Sequence, residues 1–197
     1  MALGAATSTL TPLIGRTREL ASVVDALARS RLVSITGLGG TGKTRLAQAV
    51  VEAMAADIAT WFVDLAEIGS VADVPGAVAR ATGVAESAAE DLPTAVARTL
   101  ARGPSLVVLD NFEHVLGAGT FVTALLEATP SLRIVVTSRV RLELEGELAL
   151  PLAALSVPAS PADVEIADAS RLFLRRARSR GAGPDLDPDD AAAIVQI

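Results

Sequence analysis

Leu32-Val33-Ser34-Ile35-Thr36-Gly37-Leu38-Gly39-Gly40-Thr41-Gly42-Lys43-Thr44 is the stretch that decides the fold. Its first five residues are a short, mainly apolar run of the kind that forms a buried strand. The next eight match G-x-x-x-x-G-K-[ST], the loop whose backbone amides surround phosphate groups. Glycine lets those N–H groups turn inward where a side chain would block approach. Over 45–55 the apolar positions Leu46, Ala49 and Val50 recur at helical spacing. The loop therefore opens a helix, whose positive N-terminal end favours the same anion. Strand, loop and helix in that order are the context the motif requires.

Lys43 is the only lysine among 17 Lys and Arg residues. A lysine kept where every other basic residue is arginine marks a position that needs a compact point charge rather than a planar fork. Its ammonium is expected to reach the β- and γ-phosphate oxygens, and the Thr44 hydroxyl to ligate Mg²⁺. The expected nucleotide-binding set is Gly37, Leu38, Gly39, Gly40, Thr41, Gly42, Lys43, Thr44 and Arg45.

Working outward, short apolar runs at 60–65, 105–109 and 133–137 read as further strands, with a fifth at 148–152. Helical periodicity fills 16–28, 74–81, 94–102 and 120–128. Strands alternating with helices predict an α/β fold of three layers, α/β/α, on a mainly parallel five-stranded sheet. Near-continuous Val/Leu/Ile runs fit strands buried on both faces. Residues 1–11 are small and polar, and a flexible N-terminus is expected there. The nucleotide-binding domain is expected over 12–155. Residues 156–167, with Pro158 and Pro161, read as a linker. From 168 a basic amphipathic pattern with Arg171, Arg175, Arg176, Arg178 and Arg180 reads as the solvated face of a helix starting a second domain. The helical pattern at 189–197 has no cap, so a chain cut from something longer is expected.

Composition narrows the chemistry. There are no cysteines and one histidine, His114, which excludes disulfides and thiolate catalysis and disfavours histidine-based metal sites. A net charge of −6 argues against direct nucleic acid contact by this segment. No secretory signal or membrane span is legible, and a cytoplasmic location is expected.

Two further strand ends carry candidate chemistry. Leu106-Val107-Val108-Leu109-Asp110 ends an apolar strand in a carboxylate, the arrangement that holds magnesium from the sheet's C-terminal edge. Asn111 follows, where many active ATPases place a second acid, and an amide cannot accept the proton of an attacking water. Glu113 is the nearby carboxylate that could substitute; an exposed helix start is the plainer reading of Glu113 and His114. Ile134-Val135-Val136-Thr137-Ser138-Arg139 places a guanidinium beside the third phosphate, where it can sense or stabilise γ-phosphate charge. Arg141 is the neighbouring alternative. The candidate catalytic set is Lys43, Asp110, Glu113 and Arg139, with Thr44 and Asp110 on the metal.

Leu13-Ile14-Gly15-Arg16-x-x-Glu19-Leu20, the glycine loop, LVVLDNFEHV and IVVTSR together resemble the STAND class of P-loop signal-transduction NTPases. Within it the AfsR-like and LuxR-type ATP-binding regulators of actinobacteria are closest. The likeness spans about 12–155. It implies that Ile14, Gly15 and Arg16 line the adenine and ribose side, with an ordinary helix-start charge as the alternative for Arg16. It also implies ADP held at rest, exchange for ATP on activation, and partners in other domains of a longer regulator that carry the DNA-binding output. A nucleotide-dependent homo-oligomer is compatible with that class. The family's Gly-Leu-Pro-Leu motif is absent from this sequence. Asn111 points to weak or slow hydrolysis, and the rival reading is a working enzyme, a mechanical ATPase or a small-molecule phosphotransferase.

Overall fold

A computed structural model of the chain describes residues 13–85, 90–181 and 187–196. The expected flexible stretch 1–11 and the last residue, 197, lie outside them. The chain divides into two compact units. One runs from Arg18 to Leu152, and the other comprises Pro12–Thr17 with Ala153–Ile197.

The first unit holds a five-stranded sheet formed by β1 (Leu32–Thr36), β2 (Ala59–Asp64), β3 (Ser105–Asp110), β4 (Leu132–Ser138) and β5 (Glu147–Pro151). Its order is β2-β3-β4-β1-β5, and every pairing is parallel. Burial follows position in that order. Strand β1, flanked by β4 and β5, is buried along its whole length, whereas the edge strand β5 has no fully buried residue. The expected strands match these within about one residue at each end, the usual uncertainty of such boundaries.

Five helices belong largely to this unit: α1 (Thr17–Arg29), α2 (Lys43–Met54), α3 (Val74–Thr82), α4 (Leu92–Leu100) and α5 (Gly119–Ala128). Side chains alternate across a strand, so each strand feeds two layers. Val107 and Leu109 of β3 and Ile134 and Val136 of β4 pack with Val78, Val96, Leu100, Val122 and Phe112 in one continuous core. The intervening Leu106, Val108 and Val135 are equally buried and point to the opposite face. Helix α2 packs on β2, β3 and β4 and buries Leu46, Ala47 and Val50. Loss of Leu109 would leave a cavity in the core it shares with Val78, Val96 and Phe112, a change that costs about 2–5 kcal/mol in a core of this kind.

The second unit contains α6 (Asp168–Ser179) and α7 (Pro188–Val195). Helix α6 exposes Arg171, Arg175, Arg176 and Arg178 while burying Ser170, as a solvated basic face requires. Helix α7 begins at an N-cap, Asp187, whose side chain accepts from Asp190 N. Among the described residues no helix is long and apolar enough to cross a membrane.

A candidate nucleotide site at the sheet's C-terminal edge

The chain leaves β1, turns through the glycine loop and enters α2, while β4 lies on one side of β1 and β5 on the other. In open parallel sheets, ligands bind outside the strands' C-terminal ends where the connections diverge. The loop occupies that position.

Local geometry favours glycine at two of its positions, Gly37 and Gly42. A Cβ on Gly37 would sit 2.6 Å from the Leu152 carbonyl oxygen, a backbone atom that cannot move aside. Gly42 caps α2 with φ 91 in the left-handed region, which costs glycine little and other residues more. That turn lets α2 begin at Lys43, two residues earlier than the apolar periodicity indicates. Lys43 is buried. Its Nζ donates to the carbonyls of Gly37 at 2.8 Å and Leu38 at 2.9 Å, so the ammonium points into the hollow of its own loop. Leu38, at the tip, is 79% exposed. Arg45 is half-buried and donates to Gln48 Oε1 at 3.4 Å.

Strand β3 brings Asp110 to the same edge, where it is fully buried. Thr44 Oγ1 donates to Asp110 Oδ1 at 3.1 Å, and Thr137 Oγ1 makes a short hydrogen bond to the same oxygen. The first of these ties the loop to β3 across 66 residues of sequence. Burial pushes the Asp110 carboxyl above its usual range; the Thr137 and Thr44 hydroxyls pull against this, while the charges of Asp64 and Glu113 add to it.

Arg139, just beyond β4, lies beside the loop: a Cβ on Gly39 would be 3.9 Å from Arg139 Nη2. Its Nε donates to Glu113 Oε1 at 3.1 Å. The guanidinium is 63% exposed and Glu113 13% exposed. Glu113 is therefore a largely buried partner of Arg139 within a short 3₁₀ turn, Phe112–His114, and not an exposed helix start. Its other oxygen, Oε2, is buried without a donor among the described residues. His114 and Arg141 are exposed.

Lys43, Thr44, Asp110, Glu113 and Arg139 thus share one edge of the sheet. Ile14, Gly15 and Arg16 belong to the second unit. There Ile14 lines a cavity of about 540 Å³ with Arg171, Leu174 and Arg175. Gly15 has φ +67, and a Cβ on it would meet the Asp168 side chain at 2.3 Å. Arg16 is buried and its Nη2 donates to the Ala153 carbonyl at 2.6 Å.

Sequence reasoning misses two residues of this edge, Thr137 and Asp64, and a third, Glu147, at the other end of the sheet. Thr137 looks like one more strand residue, yet its hydroxyl is bonded to Asp110. Asp64, ending β2, accepts from Asn111 Nδ2 at 3.0 Å. Glu147 accepts from the backbone N–H groups of Leu142 at 3.1 Å and Glu143 at 2.8 Å and from the Ser34 hydroxyl. It thereby braces the loop that follows Arg139. A carboxylate at a strand end was the signal available for Asp64.

The donor set fits magnesium. Thr44 and Asp110 offer oxygen alone, the ligand a hard cation takes, and they offer too few oxygens for a complete cage. Magnesium shared with a nucleotide's phosphates is bound in this way, through one or two carboxylates and bound phosphate.

A parallel sheet with a phosphate-type loop at its switch point and a strand-end carboxylate beside it defines a P-loop NTPase domain. The chain belongs to the AAA domain family, which matches residues 27–144. It is 34% identical over 172 residues to a Mycobacterium tuberculosis protein named "Putative HTH-type transcriptional regulator Rv0890c", covering 87% of this chain and 19% of that protein. The chain thus spans about a fifth of that relative's length. Among solved structures it resembles the Aeropyrum pernix ORC1 protein in complex with DNA, at TM-score 0.65 and 21% identity, over 93% of this chain and 55% of the other. It also resembles a STAND protein with a tetratricopeptide repeat sensor from Pyrococcus horikoshii, at TM-score 0.52 and 16% identity, over 93% and 28% of the two chains. At these identities the two structures speak to fold alone.

Proposed function

We propose that this chain is the nucleotide-binding module of a multidomain transcriptional regulator, holding ADP or ATP with Mg²⁺ and using the difference between them as a switch. The observation that carries this reading is the Thr44–Asp110–Thr137 cluster closed against the loop, with Arg139 alongside. Backbone N–H groups of 37–44 would hold the phosphates, and the Lys43 ammonium would exchange its two loop carbonyls for phosphate oxygens. Thr44 and Asp110 would hold the magnesium, which supplies charge neutralisation at the β- and γ-phosphates when bound. Ile14, Gly15 and Arg16 are assigned to the adenine and ribose side.

A ligand shifts a two-state protein only through contacts made in one state. Arg139 supplies such a contact. Its guanidinium is held by Glu113 at 3.1 Å, and a γ-phosphate at the loop would compete for it. Asn111, lacking a proton-accepting oxygen of carboxylate basicity, and Glu113, engaged by Arg139, both favour holding over turnover. A second reading, an active hydrolase, has one observation in its favour: Glu113 Oε2 is a buried carboxylate oxygen with no donor among the described residues, available to a proton from water.

The likeness to an HTH-type regulator supports a regulatory setting, with DNA contact assigned to other parts of the full protein. The test is to titrate ADP and ATP with and without Mg²⁺ by calorimetry and to measure steady-state turnover. Tight, magnesium-sensitive binding with turnover well below ~1 per second, the lower end for kinases, is expected. Turnover at or above that rate would favour the hydrolase, and failure to bind either nucleotide would remove both readings.

A further inference from the structure

Strands β2 and β3 run parallel and in register, so that Asp64 stands directly beside Asp110. Neighbouring strands lie about 4.8 Å apart, and register partners face the same side, so these two carboxylates would repel if left alone. Asn111 lies between them. Its backbone is left-handed, with φ 61, a conformation that asparagine tolerates better than most residues. Its N–H donates to Thr137 Oγ1 at 3.0 Å, which fixes the turn. Nδ2 then lies 3.0 Å from Asp64 Oδ1 and 3.2 Å from Asp110 Oδ2, so one amide can give a hydrogen to each acid. Asp64 Oδ1 is held in turn by the Ala66 N–H at 2.9 Å.

Asp110 is therefore oriented from two sides. Oδ1 accepts from Thr44 and Thr137, and Oδ2 accepts from Asn111. We propose that Asp64 and Asn111 are positioning residues of the magnesium side of the site: Asp64 anchors the Asn111 amide, and that amide fixes the rotation of the Asp110 carboxylate. The inference rests on the nucleotide–magnesium reading above. It gives the asparagine a purpose beyond the absence of an acid. An aspartate at 111 would remove the shared donor and set a third carboxylate against the first two, so this edge is built for an amide.

The test uses the whole chain and a fluorescent N-methylanthraniloyl-ADP probe. The quantities read are the probe's affinity in EDTA and the Mg²⁺ concentration that gives half of the magnesium-dependent gain. Outer-shell partners of metal ligands are worth about 10–100-fold in metal affinity, and Asp64 is exposed, so the low end applies. Asp64→Ala, Asn111→Asp and Asn111→Gly are each expected to raise the magnesium midpoint about tenfold, with probe affinity in EDTA little changed. The glycine variant keeps the left-handed turn while deleting the amide, which separates positioning from backbone strain. Asp64→Asn should stay near the parent, because its amide oxygen still accepts from Asn111. Asp110→Ala is the reference. If it shifts the midpoint and Asp64→Ala and Asn111→Gly do not, the inference fails and the magnesium reading stands. If Asp110→Ala itself has no effect, both fail. An equal loss of affinity in EDTA and in Mg²⁺ for Asp64→Ala would assign it a purely structural part and overturn the inference.

Discussion

Replacing Lys43 with alanine tests the loop directly, and the structure sets the size of the effect. Nζ holds the Gly37 and Leu38 carbonyls at 2.8 and 2.9 Å from a buried position. Losing two bonds to a charged donor is partly offset by removing a buried ammonium, so the fold itself should lose only about 1–2 kcal/mol. With nucleotide the loss is larger in kind. A charge-assisted phosphate contact of about 3 kcal/mol is a factor of roughly 150 in Kd. At ADP one hundred times the parent's Kd, the parent gains about 2.7 kcal/mol, whereas the variant gains about 0.3 kcal/mol. For a chain of this length that is a melting shift of roughly 5–11 °C in the parent against about 1 °C in Lys43→Ala. Trp61, the only tryptophan, is packed against the core and reports unfolding by its own fluorescence. Melts of both proteins at matched ADP and Mg²⁺ give the comparison. If Lys43→Ala keeps more than half of the parent's shift, the assignment of the loop to phosphate is wrong.

Three further outcomes are expected. Arg139→Ala should weaken ATP binding about 10–100-fold, the loss of one charge-assisted phosphate contact, while ADP affinity stays close to the parent's; equal losses for both nucleotides by calorimetry would remove Arg139 from the γ-phosphate. Gly37→Ala forces a Cβ to 2.6 Å from the Leu152 carbonyl oxygen and should cost about 1–3 kcal/mol of stability, read as a lower denaturant midpoint. Asp110 carries a pH signature. Its carboxyl is raised by burial above 3.8, so the folded state binds its proton more tightly than the unfolded state does. Its ionisation therefore costs stability at neutral pH, and that cost is relieved as pH falls through the raised value and is gone below about 3.8. In nucleotide-free buffer with EDTA, the melting temperature of Asp110→Asn minus that of the parent should be more positive at pH 7 than near pH 4. A pH-independent difference would refute the sign.

Much of the fold is legible in the sequence because the central strands β1, β3 and β4 are buried on both faces. A run such as Leu106–Leu109 reads as a strand without help from alternation, and the helices between such runs force parallel pairing. The order of the sheet is not legible, because alternation of strand and helix says nothing about β4 entering between β3 and β1. The loop is legible because its glycines meet backbone constraints that other residues satisfy poorly, a blocked Cβ at Gly37 and a left-handed φ at Gly42. Side-chain direction is where reading by pattern ends. Glu113 turns inward to Arg139 because Asn111 is left-handed and a 3₁₀ turn follows, and neither has a periodic signature. Thr137 and Asp64 reach Asp110 and Asn111 only through strand register, which a linear pattern does not contain. Arg16, expected on the adenine and ribose side with a helix-start charge as the alternative, is buried and donates to the carbonyl of Ala153, far along the chain.

The central claim is that this chain holds a nucleotide as a switch. The most direct measurement is to purify the chain without added nucleotide, denature it, and identify by ion-exchange chromatography what is released. Bound ADP is expected, or an empty site that added ADP stabilises with little turnover of ATP. A protein that releases nothing and whose melting temperature is unmoved by ADP or ATP with Mg²⁺ would contradict that claim.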